Sequence, residues 1–186
     1  MLLFVGLGNP SPNSENNRHN IGFKIIDAIN QKFGLSKQKP KFKGLLTTGT
    51  INGRKVYAIK PLTFMNNSGI CIRELIEYFK IDAENVIVFH DDLDVEFGKI
   101  KAKFGGSNAG HNGVASIDKF IGKDYSRIRI GIGKPQDKIQ VADYVLQNFN
   151  EDEVMGIEKI TENIIDSISI LLDKKLDLFS STVNNK

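Results

Sequence analysis

Runs of apolar residues alternate with polar loops along the chain and predict strands and helices in turn. Met1 to Leu7 is almost continuously apolar, a pattern typical of a strand buried on both faces of a sheet. After a polar loop, a helical spacing of apolar residues predicts an amphipathic helix over residues 21–33. Asn20 is the expected N-cap of this helix, and Gly34 is the expected residue that ends it.

The next segment predicts a hairpin and a second helix. Leu45 to Thr50 and Lys55 to Ile59 flank the pair Asn52-Gly53, which is the strongest short signal for a type I′ turn. The preceding segment from Lys37 to Lys43 contains Pro40 and several lysines, and we expect a loop there. The second amphipathic helix is indicated by Ile72, Leu75, Ile76 and Phe79.

Further strands and a helix are predicted in the second half of the chain. Val86 to Phe89 is a short buried strand that delivers the sequence His-Asp-Asp, residues 90–92, at its carboxyl end. Strict alternation of apolar and polar residues over 99–104 and 127–132 predicts two more strands. The helix predicted between them is marked by Val114, Ile117 and Ile121.

The order of these elements predicts the fold class. A last long helix is expected from Asn150, which begins a capping-box pattern, to the region of Lys174 and Lys175. Strands that alternate with helices, plus one hairpin, predict an α/β fold: a single three-layer domain over residues 1–186 with a twisted mixed β-sheet flanked by helices. Ligands in such folds gather at the carboxyl ends of the strands, where Asn9 and residues 90–92 would lie.

The composition is that of a globular protein without a membrane segment. Of the 186 residues, 40% are hydrophobic and 25% are charged, ordinary values that exclude a disordered or fibrous chain. The single cysteine, Cys71, cannot form an intramolecular disulfide, and the N-terminus lacks the basic region of a signal peptide. No apolar run approaches the roughly 18 residues of a membrane helix. We therefore expect a cytoplasmic protein.

Charge is distributed unevenly, although the net charge is only +3. There is no Asp or Glu from Ala28 to Arg73, a stretch that contains nine Lys and Arg residues, whereas the tail from Glu151 has eight acidic residues and four lysines. Such asymmetry indicates a surface that faces a polyanion. An ordinary solvated surface explains the charge equally well, so charge alone leaves both interpretations open.

The candidate chemistry centres on the three histidines, His19, His90 and His111. A histidine held by a carboxylate is suited to act as a general base, because the carboxylate fixes its tautomer and stabilises the imidazolium that forms. The chain has no Gly-x-Ser-x-Gly elbow, and Cys71 falls within an apolar helix, so covalent catalysis is disfavoured. Residues 6–8 do not continue into a dinucleotide-binding motif, since Ser11 occupies the third glycine position. A water molecule activated by a histidine fits these residues best.

Six short motifs follow one another over nearly the whole chain. They are Gly6-Leu7-Gly8-Asn9-Pro10, Arg18-His19-Asn20-Ile21-Gly22, Pro61-Leu62-Thr63-Phe64-Met65-Asn66-Asn67-Ser68-Gly69, His90-Asp91-Asp92-Leu93-Asp94, Gly110-His111-Asn112-Gly113 and Arg127-Ile128-Arg129-Ile130-Gly131-Ile132-Gly133. Together, in this order and spacing, they resemble the bacterial-type peptidyl-tRNA hydrolase family. Each motif alone is weak, but the combination is highly specific.

The resemblance implies a monomeric enzyme that hydrolyses the ester between a peptide and the 3′-terminal ribose of tRNA, with no metal or other cofactor. It implies that His19 is the catalytic base and Asp91 its orienting partner. The substrate-binding positions that it implies are Asn9, Met65, Asn66, His111 and Asn112. Two positions depart from the family pattern, because Ser11 and Ser14 stand where the family usually has Gly and Tyr.

Two other functions compete with this one. A metal-dependent hydrolase would use as ligands His19, His90, Asp91, Asp92 and His111, but no H-E-x-x-H or comparable spacing supports it. A non-catalytic RNA-binding module would use the lysines and glycine-rich loops, but aromatic stacking platforms are not evident and a His-Asp pair would be idle there.

The two alternating strands also carry basic residues in rows. These are Lys99, Lys101 and Lys103 on the first strand, and Arg127 and Arg129 on the second. Such rows commonly protect the edge of a sheet or keep it soluble. Alternatively they contact tRNA phosphates, and the residues expected to do so are Lys101, Lys103 and Arg129.

Overall fold

The structure is a computed structural model that describes residues 1–186, and its core is one seven-stranded mixed sheet. The strands are β1 (Leu2–Gly6), β2 (Lys39–Lys41), β3 (Gly44–Ile51), β4 (Arg54–Pro61), β5 (Val86–Asp92), β6 (Ile100–Phe104) and β7 (Ser126–Gly131). The helices are α1 (Ile21–Phe33), α2 (Ser68–Phe79), α3 (Asn112–Ile121), α4 (Val141–Val145), α5 (Glu151–Asp166), α6 (Ile168–Leu172) and α7 (Leu176–Asn184). Three 3₁₀ turns span Arg18–Asn20, Met65–Asn67 and Ala83–Asn85. The expected α/β fold with a mixed sheet flanked by helices is confirmed.

The sheet has the strand order β2-β3-β4-β1-β5-β7-β6. The central strands β4, β1, β5 and β7 are parallel, whereas β2, β3 and β6 join by antiparallel pairing. From β1 the chain passes to β4 on one side of β1 and then to β5 on the other side. Such a reversal opens a crevice at the carboxyl ends of the strands, here those of β1 and β5.

The two faces of the sheet pack against different helices. Phe4 and Phe89 belong to a core of 26 buried residues that includes side chains of α1, α5, α6 and α7. Leu3 and Val88 belong to a second core of 15 buried residues that includes side chains of α2 and α3. We call these the α1 face and the α3 face. Because side chains alternate along a strand, neighbouring residues of β5 contribute to opposite faces.

Two glycines allow α1 to begin unusually close to the sheet. A Cβ at Gly6 would lie 2.2 Å from the carbonyl oxygen of Gly22, and a Cβ at Gly22 would lie 2.5 Å from the carbonyl oxygen of Phe89. Any larger residue would push the first turn of α1 away from β1 and β5. The close approach brings the turn that precedes α1 to the carboxyl end of β5.

The predicted ends of the first helix and the predicted hairpin are confirmed. Gly34 ends α1 in the left-handed conformation, with φ 59° and ψ 41°. Asn52 and Gly53 have φ values of 49° and 78° between the paired strands β3 and β4. Positive φ at both positions is what a type I′ turn requires.

The expected loop from Lys37 to Lys43 contains a strand, and this prediction was wrong. β2 pairs antiparallel with β3 through Lys39–Leu46 and Lys41–Gly44. It is a three-residue edge strand, exposed along its length. Pro40 is tolerated because an edge strand needs hydrogen bonds on one side only.

The expected long helix from Asn150 to the region of Lys175 is interrupted, so this prediction was wrong beyond Asp166. The capping box of Asn150 and Glu153 is present, but α5 ends at Asp166 and a new helix starts after Ser167. Ser167 N donates to Ile164 O, three residues back, which tightens the chain at that point. Periodicity did not predict the break, because the apolar pattern continues through it.

Two elements near the edge strand β6 and the crevice were not predicted. Helix α7 lies along β6, where Ser180 Oγ accepts from Ala102 N at 2.8 Å and the Asn184 side chain bonds both main-chain groups of Ile100 at 2.9 Å. Helix α4 lies beside the carboxyl end of β5. None of the helices combines the length and the apolar surface that a membrane-spanning segment requires.

Candidate active site

His19 lies in the 3₁₀ turn Arg18–Asn20, directly before α1. Asn20 occupies the expected N-cap position, but its side chain does not cap the helix. Instead Asn20 Oδ1 accepts from Asn9 N at 2.7 Å, and Asn20 Nδ2 donates to Asn9 O at 2.9 Å. This double hydrogen bond joins the turn of His19 to the loop that follows β1.

His19 is held by Asp91, as expected from the resemblance. His19 Nδ1 lies 2.9 Å from each carboxylate oxygen of Asp91. An ionised carboxylate only accepts hydrogen bonds, so Nδ1 carries the hydrogen and Nε2 keeps a free lone pair in the neutral ring. Burial by itself would lower the pKa of His19, but the charge and hydrogen bond of Asp91 outweigh it and raise that pKa above its ordinary value.

His111 contacts the same carboxylate from the other side. It is the N-cap of α3, where its Nδ1 accepts from Gly113 N at 3.1 Å and from Val114 N at 3.3 Å. Its Nε2 therefore carries the hydrogen and donates to Asp91 Oδ1 at 2.9 Å. Both ring nitrogens of His111 are occupied, so His111 has no lone pair to offer as a base.

Asp91 stays ionised between the two rings. Its side chain is buried, and burial alone would raise the pKa of the carboxyl. His111 and His19 oppose this effect and hold the pKa of Asp91 well below its usual range. Asp91 thus supplies a permanent negative charge beneath His19.

A cleft of about 420 Å³ opens at this position. Its lining comes from four parts of the chain and consists of His19, Asp91, Asp92, Leu93, Asn108, Ala109, Gly110, His111, Asn112, Val141, Ala142 and Val145. A larger cavity of about 760 Å³ lies between α1 and α5 and contains none of the histidines. Volume alone would therefore point away from the site.

The other predicted substrate-binding residues surround this cleft. Asn112 lines it, and the carboxamides of Asn112 and Asn66 are exposed and make no hydrogen bond within the chain. Met65 packs against the start of α3, since a Cβ at Gly113 would lie 2.5 Å from its sulfur. Asn9 lines a neighbouring cavity of about 410 Å³. Its Oδ1 accepts from Ser11 N at 2.9 Å, which leaves its NH₂ group unpaired.

Several cleft residues were missed from the sequence. Val141, Ala142 and Val145 of α4 form one wall, and a five-residue helix gives too little periodicity to be recognised. Asn108 lies within the glycine-rich stretch before His111, which was a usable signal. Ser14, at one of the two departures from the family pattern, is buried, and its carbonyl accepts from Asn17 N at 2.9 Å in the turn before His19.

The basic rows are less free than the sequence suggests. Arg127 is almost completely buried; its Nη2 donates to Asp118 at 2.7 Å and its Nη1 to Ser107 O at 2.8 Å. Arg129 Nε donates to Asp92 at 2.7 Å and its side chain is 23% exposed. Lys101 and Lys103 are exposed on β6, which is an edge strand. The expectation of two open rows is therefore wrong for the arginines, because carboxylates that are distant in sequence pair with them.

A small cavity of about 150 Å³ lies between these basic residues on the α3 face. Lys103, Arg127 and Arg129 line it together with His90. Burial lowers the pKa of His90 to about 4, with His111 as a second cause, so His90 is neutral. The buried Nε of Arg127 has no hydrogen-bond acceptor. The cavity therefore offers donors and positive charge to an anion.

Three side chains are arranged closely enough to hold a metal ion. They are those of His19, Asp91 and His111, with ligand atoms within 4.8 Å of one another. A metal would need lone pairs on the two nitrogens that face Asp91, whereas the hydrogen bonds at 2.9 Å need hydrogens there. Metal binding and the hydrogen-bonded arrangement are thus mutually exclusive.

Similarity to known proteins extends over the whole chain. A family model described as peptidyl-tRNA hydrolase matches residues 3–186. The chain is 82% identical over 186 residues to a peptidyl-tRNA hydrolase of Pelagibacter ubique (strain HTCC1062), with 100% of both chains covered. It is 45% identical over 184 residues to a peptidyl-tRNA hydrolase of Bartonella henselae, covering 99% of this chain and 95% of the relative. A crystal structure of peptidyl-tRNA hydrolase from Acinetobacter baumannii superposes with a TM-score of 0.92 at 33% identity, covering 99% of this chain and 94% of that one.

Proposed function

The chain belongs to the peptidyl-tRNA hydrolase family, and from this premise we propose that it hydrolyses the ester between a peptide and the 3′-terminal ribose of tRNA with a water molecule activated by His19. The observation that carries the proposal is the contact of His19 Nδ1 with Asp91 at 2.9 Å. This contact leaves Nε2 as the only ring nitrogen free to take a proton. The products are free tRNA and free peptide.

The proposed reaction uses His19 twice. Nε2 takes a proton from water as the oxygen attacks the ester carbonyl, and the imidazolium that forms is stabilised by the buried charge of Asp91. The same proton then passes to the departing ribose oxygen. His19 returns to its neutral form, so no covalent intermediate is needed.

The carboxamides near the cleft are suited to a peptide of any sequence. Each Asn offers two N–H donors and one carbonyl acceptor, which match the main-chain groups of a peptide or stabilise the oxyanion. Asn66 and Asn112 have no partner within the chain, and Asn9 has a free NH₂ group. We assign these three residues to the peptide and ester, with Met65 positioning the start of α3 beside them.

His111 acts through Asp91 in this proposal. The resemblance implies a place for His111 among the substrate-binding residues, and its ring lines the cleft. Its hydrogen bonds, however, run to Asp91 and to the first turn of α3. We therefore assign it to holding the carboxylate in place, with its ring as part of the cleft wall.

Contacts to tRNA phosphates are proposed at the small basic cavity on the α3 face. Lys103 and Arg129 line it, and Lys101 lies beside Arg129 in the register of β6 and β7. Phosphate contacts position a nucleic acid without reading its sequence. We further propose that one chain is the active unit, since every residue of the cleft comes from one chain, and that it works in the cytoplasm, where tRNA is used.

The proposal is tested by comparing two substrates. Pure protein is incubated with N-acetylated and with free aminoacyl-tRNA, and loss of the ester is followed. The blocked substrate should be cleaved much faster, because the carboxamides can bond an amide, whereas a free ammonium group would be desolvated without a carboxylate of its own. Equal rates on both substrates would make the protein a general aminoacyl esterase instead.

A further inference from the structure

Arg18, the residue before His19, is almost completely buried although it is charged. Its side chain is only 9% exposed. Burying a guanidinium is unfavourable unless its donors are paired. The partners of Arg18 therefore identify what this side chain holds together.

The guanidinium joins the turn of His19 to α4 and α5. Nη2 donates to Glu153 Oε1 at 2.9 Å and Nη1 donates to Tyr144 O at 3.3 Å. Cζ lies 4.2 Å from the centroid of the Tyr144 ring. The main chain adds a further link, because Arg18 N donates to Gln147 O at 3.0 Å.

Glu153 uses one oxygen for two contacts. Its Oε1 also accepts from Asn150 N at 3.0 Å, which completes the capping box at the start of α5. The N-terminus of α5 and the turn of His19 thus share one carboxylate oxygen. Helix α4, which also receives a bond from Arg18, carries Val141 and Val145 in the wall of the cleft.

We propose that Arg18 is a positioning residue for the reaction: by clamping its turn to α4 and α5, it sets the distance and angle between His19 and Asp91. The inference rests on the proposed role of His19 as the base. On the other side of His19, the double hydrogen bond of Asn20 and Asn9 provides a second anchor. Without the Arg18 clamp, only this anchor and Asp91 restrain the turn, and the ring of His19 can tilt away from the carboxylate.

The test uses Arg18→Lys and Glu153→Gln. Lysine keeps the charge but lacks the planar fork that reaches two acceptors at once. Because small misplacements of a catalytic group are expensive in rate, kcat for N-acetylated aminoacyl-tRNA should fall roughly 10- to 10²-fold in Arg18→Lys, with a smaller change in KM. Glu153→Gln keeps an acceptor for the capping box and removes the charge, so it should change kcat in the same direction by less.

A second readout does not depend on turnover. The ring of His19 is titrated by NMR in the free protein. Loosening the contact to Asp91 leaves burial as the main influence on His19, so its pKa should fall in Arg18→Lys relative to the unaltered chain. The acid limb of kcat/KM should move to lower pH by the same amount.

Arg54→Lys is the matched control. Arg54 also donates to a main-chain oxygen, that of Leu172, and to a carboxylate, that of Asp173. It lies at the amino end of β4, and the cleft lies at the carboxyl ends of the parallel strands. Arg54→Lys should leave kcat and the titration of His19 unchanged.

Two outcomes would overturn the inference. If both variants at the clamp lowered the melting temperature but kept kcat per folded molecule and the His19 titration, Arg18 would be only structural. If Arg18→Lys failed to fold, Glu153→Gln with unchanged kcat and titration would be decisive. A parallel His19→Ala variant keeps the two proposals separate, because retained turnover there overturns the role of His19 itself, whatever Arg18 does.

Discussion

Asp91 and Asp92 are neighbours on β5, but they build two different environments on the two faces of the sheet. Asp91 lies between the rings of His19 and His111, with each contact at 2.9 Å. Asp92 instead accepts from Arg129 Nε at 2.7 Å, beside the small basic cavity. Alternation along the strand is sufficient to separate them.

The difference shows how one residue type serves chemistry on one face and binding on the other. On the α1 face the partners of the carboxylate are imidazoles, whose charge changes near neutral pH, so the pair can move protons. On the α3 face the partner is a guanidinium, which is always charged, so the pair holds fixed charge. We therefore expect changes near Asp91 to alter kcat and changes near Asp92 to alter KM.

The largest effect should come from His19→Ala. Removing the only group proposed to transfer protons should lower kcat by roughly 10² to 10⁴ or more. Binding of tRNA should persist, since the phosphate contacts are untouched. Single-turnover kinetics with a parallel binding measurement check this, and near-normal turnover would remove His19 from the mechanism.

Asp91→Asn should come next, with kcat reduced by roughly 10 to 10³, because an amide cannot stabilise the imidazolium. The pH dependence gives a second measure. Asp91 raises the pKa of His19, so activity of the unaltered chain should rise with pH through a point above the ordinary histidine value of about 6.5. In Asp91→Asn burial alone acts on His19, and the limb should shift to lower pH. An unchanged rate and pH profile would make Asp91 merely structural.

Asp92→Asn is the matched change on the other face. It removes the charge that neutralises Arg129, and the amide oxygen can still accept from Asp94 N, as Asp92 Oδ1 does at 2.8 Å. We expect kcat to stay close to its original value and KM for peptidyl-tRNA to fall, because Arg129 is then freer to meet a phosphate. A loss in kcat as large as that of Asp91→Asn would show that the two faces are not separate.

The double change Lys101→Ala with Lys103→Ala should have a moderate effect that depends on salt. Removing one phosphate interaction should flatten the dependence of log affinity on log salt by just under about one unit. KM for full-length substrate should rise, whereas a short nucleotide ester should be cleaved as before. Unchanged salt dependence, or an equal decrease in activity on both substrates, would leave these lysines with the role of protecting the edge strand β6.

A strong chelator should have the smallest effect, namely none on kcat. The hydrogens between Asp91 and its two histidines occupy the positions that a metal would need. Loss of activity with a chelator, restored by added zinc, would favour the metal-dependent alternative. Measurement with and without prior dialysis controls for tightly bound ions.

Local sequence determined most of the elements and the chemistry of the site residues. Gly34 and Asn52-Gly53 permit the backbone angles that end α1 and turn the hairpin, and these preferences depend on single residues. The apolar runs of β1 and β5 placed Asn9 and Asp91 at strand ends, where the structure has them. The pairing of His19 with Asp91 came from the family resemblance, because 72 residues separate the two in the chain.

Tertiary contacts decided the partners of the polar residues, and periodicity carries no information about these. The Asn20 side chain looked like a cap and instead bonds Asn9, while Arg127 looked exposed and is buried against Asp118. Helices α4 and α7 are short, and they pack against elements far away in the sequence. A hydrogen bond between distant residues depends on how the whole chain folds back, whereas a turn or a strand depends on its own few residues. The sequence therefore determined which groups are present at this site, and the folded chain decided which of them meet.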